Sequence, residues 1–247
     1  MFPETETERV AGVDGCRGGW VASSAEDPIL FFKTFEEILE QYKKRIILVD
    51  LPLGLPETKR DLDRSARENF DVQPSSLFSV PCRDAIYAKS YQEACELNEK
   101  RTGKKISKQV WNIGPKIREV DSCLRTSSEL GKYVFEAHPE VCFSILKGGR
   151  LNFSKKKPEG IEERLNLLEK HDSSARYRFN QALTTFPRLV MARDDVVDAL
   201  VLGLAATNFT IFQYGITNDD YGLPIRLAIP NLQPREKSAN VSAPSCC

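Results

Sequence analysis

The chain has 247 residues, 41% hydrophobic and 28% charged, and its 35 basic residues balance 35 acidic ones. That length allows one large domain or two small ones with a sizeable core, while net neutrality argues against a broadly basic surface that wraps nucleic acid non-specifically. No apolar run approaches the ~18 residues needed to span a bilayer, and the acidic opening Met1–Glu8 lacks a basic-then-apolar leader pattern, so the expectation is a cytoplasmic protein without a membrane partner.

A first strand is predicted over Arg9–Asp14, followed by the glycine-rich turn Gly15–Gly19. Trp20–Ser24 and Ile29–Phe32 read as two more strands, which makes an antiparallel meander. Thr34 is placed to cap a helix over Phe35–Tyr42, where Phe35, Ile38, Leu39 and Tyr42 recur at helical spacing. The continuous apolar run Ile46–Val49 suits a strand covered on both faces. From Leu51 to about Leu130 the pattern is irregular and helical. Helices are expected over Lys59–Asn69, Tyr91–Arg101 and Ile106–Leu124, the last broken or kinked at Gly114-Pro115, with a Pro- and Ser-rich loop over Asp71–Pro81. Residues of about 59–130 read as a helical insertion in a single domain spanning 1–247, because no linker sets them apart. Lys132–Glu136 is a further strand, and Pro139–Leu146, Gly160–His171 and Asp195–Asn208 are helices. Residues from Tyr221 onward are expected to be extended, and a tail of about 234–247 loose. The seven cysteines (Cys16, Cys82, Cys95, Cys123, Cys142, Cys246 and Cys247) form no Cys-x-x-Cys pair, so neither a zinc site nor a disulfide framework is expected.

The order β-β-β-α-β, helical insertion, β, helix is that of an α/β protein with an RNase H-like mixed sheet: three antiparallel strands, then parallel strands, flanked by helices. In that arrangement the first strand lies beside the fourth, so Asp14 and Asp50 end neighbouring strands. Asp195 and Asp198 are three residues apart and share one helix face. A carboxylate is costly to hold in apolar surroundings unless it is paired or bound to a metal, and several converging ones imply a cation between them. Asp14, Asp50, Asp195 and Asp198 are therefore the expected catalytic and metal-binding residues. They suit two Mg²⁺ or Mn²⁺ ions ~3.5–4 Å apart that assist attack of water on a phosphodiester. Singly, Asp50 could cap a turn before Leu51-Pro52-Leu53-Gly54, and Asp194 and Asp195 could cap the last helix. Asp198, inside Val196–Val201, has no such plain reading.

The segments Gly12–Val21, Val49–Leu55, Arg60–Arg67, Ser75–Pro81, Gln109–Ile113 with Pro115-Lys116-Ile117, Glu136–Glu140 and Asp194–Ala199 resemble a family of RNase H-like nucleases defined only as a domain of unknown function, DUF429. The resemblance covers Val10 to about Asn208 and implies the RNase H-like fold and a nuclease activity. The Asp-x-x-Asp-Ala pattern at Asp195 is also similar to the last motif of RuvC-type resolvases.

Other polar residues gather around this frame. Glu136, at a strand end, reads equally as a metal ligand or general base, or as the partner of Arg17, Lys116 or another buried cation. Arg17 could clamp a phosphate or balance the acidic cluster. Arg60, Asp63, Arg64 and Arg67 repeat at helical spacing, where the arginines could line a substrate entrance with Lys116 or form surface ion pairs. His138 suits a general acid or a turn before Pro139, and His171 the surface. Lys100, Arg101, Lys104, Lys105 and Lys108 with Trp111 form the best local basic patch for phosphate contact and base stacking, or a solvated helix end. Lys155-Lys156-Lys157 reads as a solvated loop.

Three functions follow from these readings. The first is metal-dependent phosphodiester hydrolysis on nucleic acid or a small phosphorylated substrate. The second is phosphotransfer or ATP binding in the manner of actin-like and sugar kinases, with Asp14–Gly19 as the phosphate turn; only one copy of the fold is visible, where those proteins usually have two. The third is a non-catalytic binding module, disfavoured because no expected carboxylate is missing.

Overall fold

A computed structural model describes residues 10–24, 27–73 and 76–232. The acidic N-terminal segment and the tail expected to be loose lie outside the described residues. Among the described residues seven strands make one sheet: β1 (Ala11–Cys16), β2 (Gly19–Ser23), β3 (Leu30–Phe32), β4 (Ile47–Val49), β5 (Val134–Glu136), β6 (Phe209–Phe212) and β7 (Leu227–Pro230). Their spatial order is β3-β2-β1-β4-β5-β7-β6. The first three are antiparallel, β4 runs parallel to β1 and to β5, and β6 closes the far edge antiparallel to β7. This is the α/β order expected of an RNase H-like sheet, with the first strand beside the fourth.

The helices α1 (Phe35–Gln41), α2 (Asp61–Asn69), α3 (Arg83–Tyr87), α4 (Tyr91–Thr102), α5 (Lys108–Arg125), α6 (Pro139–Lys147), α7 (Pro158–Glu169), α8 (Ala175–Thr185) and α9 (Arg193–Thr207) cover both faces. One buried cluster joins Val21, Leu48 and Phe135 to the apolar sides of α6–α9. The other joins Ala11, Val13, Trp20, Ile47, Val49 and Val134 to α1 and α5. Alternate strand residues thus face opposite layers, as the two-residue period of a strand requires. Among the described residues no helix is long and apolar enough to cross a membrane.

Most elements begin where their local chemistry says. Thr34 and Glu37 form a reciprocal cap on α1, Ser90 caps α4 and Ser107 caps α5. The structure corrects the sequence reading in three places. α5 is continuous across Pro115, because its buried stripe of Val110, Gly114, Ile117, Val120 and Leu124 packs on both sides of the proline and outweighs a local cost of about 3 kcal/mol. α8 lacks a long apolar period: its buried residues are Ala175, Arg178, Phe179 and Ala182. The extra edge strand β6 follows α9 directly, and Thr210 and Ile211 on it are exposed.

Candidate active site

Backbone contact between β1 and α9 sets the site. A Cβ at Gly12 would lie 1.9 Å from Gly203 N and 2.5 Å from Ala199 O, so only glycine lets this helix lie on this strand. Two residues along β1 on the same face stands Asp14; one residue before Ala199 on α9 stands Asp198. β4 completes the arrangement, since Gly12 pairs with Leu48 and Val13 with Val49, so Asp14 and Asp50 follow side by side. Asp50 N–H donates to Val13 O at 3.0 Å.

The four aspartates converge. Burial pushes the Asp14 carboxyl well above its usual range, and the charges of Asp50, Asp198 and Asp195 push it further. Burial raises Asp198 to about 7 against the pull of Lys155, with Asp50 adding to the rise. Asp195 is also raised, by burial first. Each carboxylate has one oxygen engaged by the protein. Asp14 Oδ1 accepts from Gly15 N–H at 2.7 Å, and Asp195 Oδ2 from Ala192 N–H at 2.8 Å, which caps α9. Asp50 Oδ1 is 3.4 Å from His138 Nδ1, and Asp198 Oδ2 meets the Lys155 ammonium. Asp198 Oδ1 is buried with no hydrogen-bond partner.

Glu136 stands on the opposite face. It pairs with Val49, not with Asp50, so the strand period turns it away from the aspartates. Arg60 meets it with two bonds, Nη1 to Oε2 at 2.9 Å and Nη2 to Oε1 at 2.7 Å, and Leu53 N–H adds a third at 2.8 Å. Burial alone would raise the Glu136 carboxyl, but the Arg60 and His138 charges hold it at about 2. Its partner is thus neither Arg17 nor Lys116. The Arg60 guanidinium also bonds Asp63 and the carbonyls of Leu53 and Gly54, which leaves it a structural cation rather than a substrate ligand. His138 bridges the two faces, with Nε2 3.4 Å from Glu136 Oε1. Burial would lower its pKa, but Asp50 and Glu136 raise it to about 9, so the ring is an imidazolium at neutral pH.

The remaining candidates divide. Lys116 lines the cleft beside Asp14 and Gly15; its ammonium donates to Gly19 O and lies 4.2 Å over the Trp20 ring. Arg17 is exposed in the turn between β1 and β2. Arg64 pairs with Asp61 on the exposed side of α2, and Arg67 holds Leu77 O at 2.8 Å. None of Arg17, Arg60, Arg64 and Arg67 lines the cleft. In the basic patch, Arg101 pairs with Asp84, Lys105 with Glu99, and Lys108 sits over Tyr91. The helical insertion does reach the site: Val72, Gln73, Phe78, Gln109 and Ile113 form one wall of a cleft of about 490 Å³. The other wall is the loop Arg150–Lys156.

That loop carries the residue the sequence reading missed. Lys155 is drawn to Asp198, Asp50 and Asp14, in that order of strength, which raises its pKa against the effect of burial. Lys156 pairs with Asp194 one turn earlier on α9. A run of three lysines looks like a solvated loop, and the partner of Lys155 lies 43 residues further on. The available signal was the surplus of buried aspartates, which demanded a cation somewhere in the chain.

Residues 12–216 match the model of a family described as a protein of unknown function, DUF429. The chain belongs to the DUF429 family. No curated protein matches it, and no solved structure matches it. The matched span of this DUF429 protein takes in all four aspartates together with Lys116, His138 and Lys155.

Among the described residues no three His, Cys, Asp or Glu side chains stand as a ready metal-ligand set. The residues nonetheless fit a hard cation. The donor set is all carboxylate oxygen, burial and mutual repulsion destabilise its charge, and Asp198 Oδ1 is orphaned. Asp14, Asp50, Asp195 and Asp198 would hold the ion.

Proposed function

We propose that this protein is a divalent-metal-dependent phosphodiester hydrolase of RNase H-like type, acting through Asp14, Asp50, Asp195 and Asp198. One observation carries the reading: carboxylates from β1, the end of β4 and α9 meet at one sheet edge with too few protein donors to satisfy them. A bound Mg²⁺ or Mn²⁺ would supply Lewis-acid polarisation of a phosphoryl oxygen there. The chain's own residues do the rest. Lys116 and Lys155 offer ammonium groups to a phosphate at the cleft floor, and the His138 imidazolium holds one Asp50 oxygen in place. Phe78 and Ile113 offer an apolar wall, and Gln73 and Gln109 offer amides.

A cleft of about 490 Å³ lies in the range of small-ligand pockets, about 300–1,000 Å³. With net neutrality and a basic patch whose charges are largely paired, this favours a small phosphorylated substrate or a nucleic-acid end over a duplex. The phosphotransfer reading loses ground at the β1–β2 turn, where Gly18 N–H already donates to Val190 O at 3.0 Å. The free thiols of Cys16, Cys82, Cys95, Cys123 and Cys142 suit the cytoplasm as the place of action.

Thermal melts and hydrolysis of bis(4-nitrophenyl) phosphate test this reading together. Mn²⁺ should raise the melting temperature and support turnover in the wild type, and Asp198→Asn should lose both. A wild type indifferent to Mg²⁺ and Mn²⁺ in both assays would overturn it.

A further inference from the structure

The loop bearing Lys155 is anchored from behind. Glu163 on α7 accepts the N–H groups of Asn152 and Phe153, each at 3.0 Å. Arg164 Nη1 donates to Phe153 O at 3.1 Å, and its Nη2 bonds Glu140 at 2.7 Å. A Cβ at Gly160 would fall 2.0 Å from Ser154 O, so the start of α7 is pressed directly onto the loop. Lys156 adds the ion pair to Asp194. Lys155 is therefore aimed into the acidic centre by a fixed frame, and not placed there by a mobile side chain's chance contact.

The carboxylate oxygens point the same way. Gly15 N–H, His138, Ala192 N–H and Lys155 each engage one oxygen of Asp14, Asp50, Asp195 and Asp198 respectively. One oxygen per carboxylate remains, of which Asp198 Oδ1 is buried and unpartnered. A six-coordinate Mg²⁺ usually keeps several waters and takes few protein oxygens, so the remainder suits a single ion. Two ions ~3.5–4 Å apart would need carboxylates with both oxygens free to bridge them.

We infer that Lys155 is a built-in second cation: its ammonium stands where a two-metal centre would hold one of its ions, and the site takes one divalent ion beside it. This rests on the metal reading proposed above and sharpens it to a one-metal centre, with Lys155 left in place to meet the substrate phosphate.

Titration of the full-length protein with Mn²⁺ alone, read by calorimetric stoichiometry and by electron paramagnetic resonance, tests it without any substrate. The wild type should take one Mn²⁺ per chain and give a mononuclear six-line spectrum. Lys155→Met should gain a second Mn²⁺ with a spin-coupled spectrum, and its metal-free melting temperature should fall and recover on Mn²⁺ addition. Lys155→Arg, which keeps the charge, should still take one. Two coupled ions in the wild type would overturn the inference and leave the metal reading standing. No bound Mn²⁺ would overturn both. If Lys155→Met does not fold, the wild-type stoichiometry decides alone.

Discussion

Two buried charge clusters lie on either face of the same sheet edge, and they are built on opposite principles. Around Arg60, every charge is answered: Glu136 takes two guanidinium bonds and a backbone N–H, and Asp63 takes Arg60 and Val80 N–H. Around Asp198, charges of one sign accumulate, one oxygen has no partner, and a single lysine stands against four aspartates. The first cluster ties the insertion to β5 and holds the fold. The second is left electrostatically incomplete, as a site that must accept a cation or a phosphate group has to be. His138 touches both, so the structural cluster orients the one that does chemistry.

The contrast predicts opposite responses to removing one charge. Arg60→Met leaves Glu136 and Asp63 buried without their cation and should cost about 3–5 kcal/mol in urea denaturation. A loss under about 1 kcal/mol, the worth of a surface pair, would show that this cluster is not what holds the insertion. Gly12→Ala forces β1 and α9 apart, with a Cβ 1.9 Å from Gly203 N. It should cost about 1–3 kcal/mol and abolish the Mn²⁺-induced rise in melting temperature although every carboxylate is retained. An unchanged Mn²⁺ response would mean that strand–helix contact does not set the site.

Asp198→Asn should behave in the reverse sense to Arg60→Met. The folded pKa of Asp198, about 7, is raised above its ordinary 3.8. The folded state then binds the proton more tightly than the unfolded chain, so metal-free stability falls as pH rises from about 4 to about 7. Asn removes that fall, and Lys155 keeps Asp14 and Asp50 as partners. At pH 7 in chelator the variant should be as stable as wild type or more stable by about 1–2 kcal/mol. A variant that melts far lower would place Asp198 among the structural charges.

The smallest effect is at His138. Its pKa of about 9 is above the ordinary 6.5, so its contribution is fully present below pH 6.5 and is lost as pH rises through about 9. Both its contacts are long, at 3.4 Å, so His138→Gln should cost only about 1 kcal/mol at neutral pH. It should also flatten the stability profile between pH 6.5 and 9. A profile with the same slope in both proteins would show that the imidazolium does not bridge the clusters.

Much of the sheet was legible because its signals are local. The apolar run before Asp50, the glycine turn after Asp14 and the Thr34 cap each declare an element within a few residues. α8 was not, because a buried arginine and two alanines carry its inner face and no long apolar period marks it. The aspartates of the site were legible as a set because charge inside apolar strands and helices is costly wherever it occurs. Glu136 was ambiguous until register placed it beside Val49, a distinction of one residue that reverses its face. Arg60 and Lys155 were misjudged for one reason: a cation's role depends on its partner, and theirs lie 76 and 43 residues away.

Crystals grown without metal and soaked in Mn²⁺ test the central claim most directly, by anomalous scattering at the manganese edge. The account predicts a peak enclosed by Asp14, Asp50 and Asp198, with Lys155 still in the centre. An empty centre at saturating Mn²⁺, with Lys155 and His138 neutralising the aspartates unaided, would contradict it.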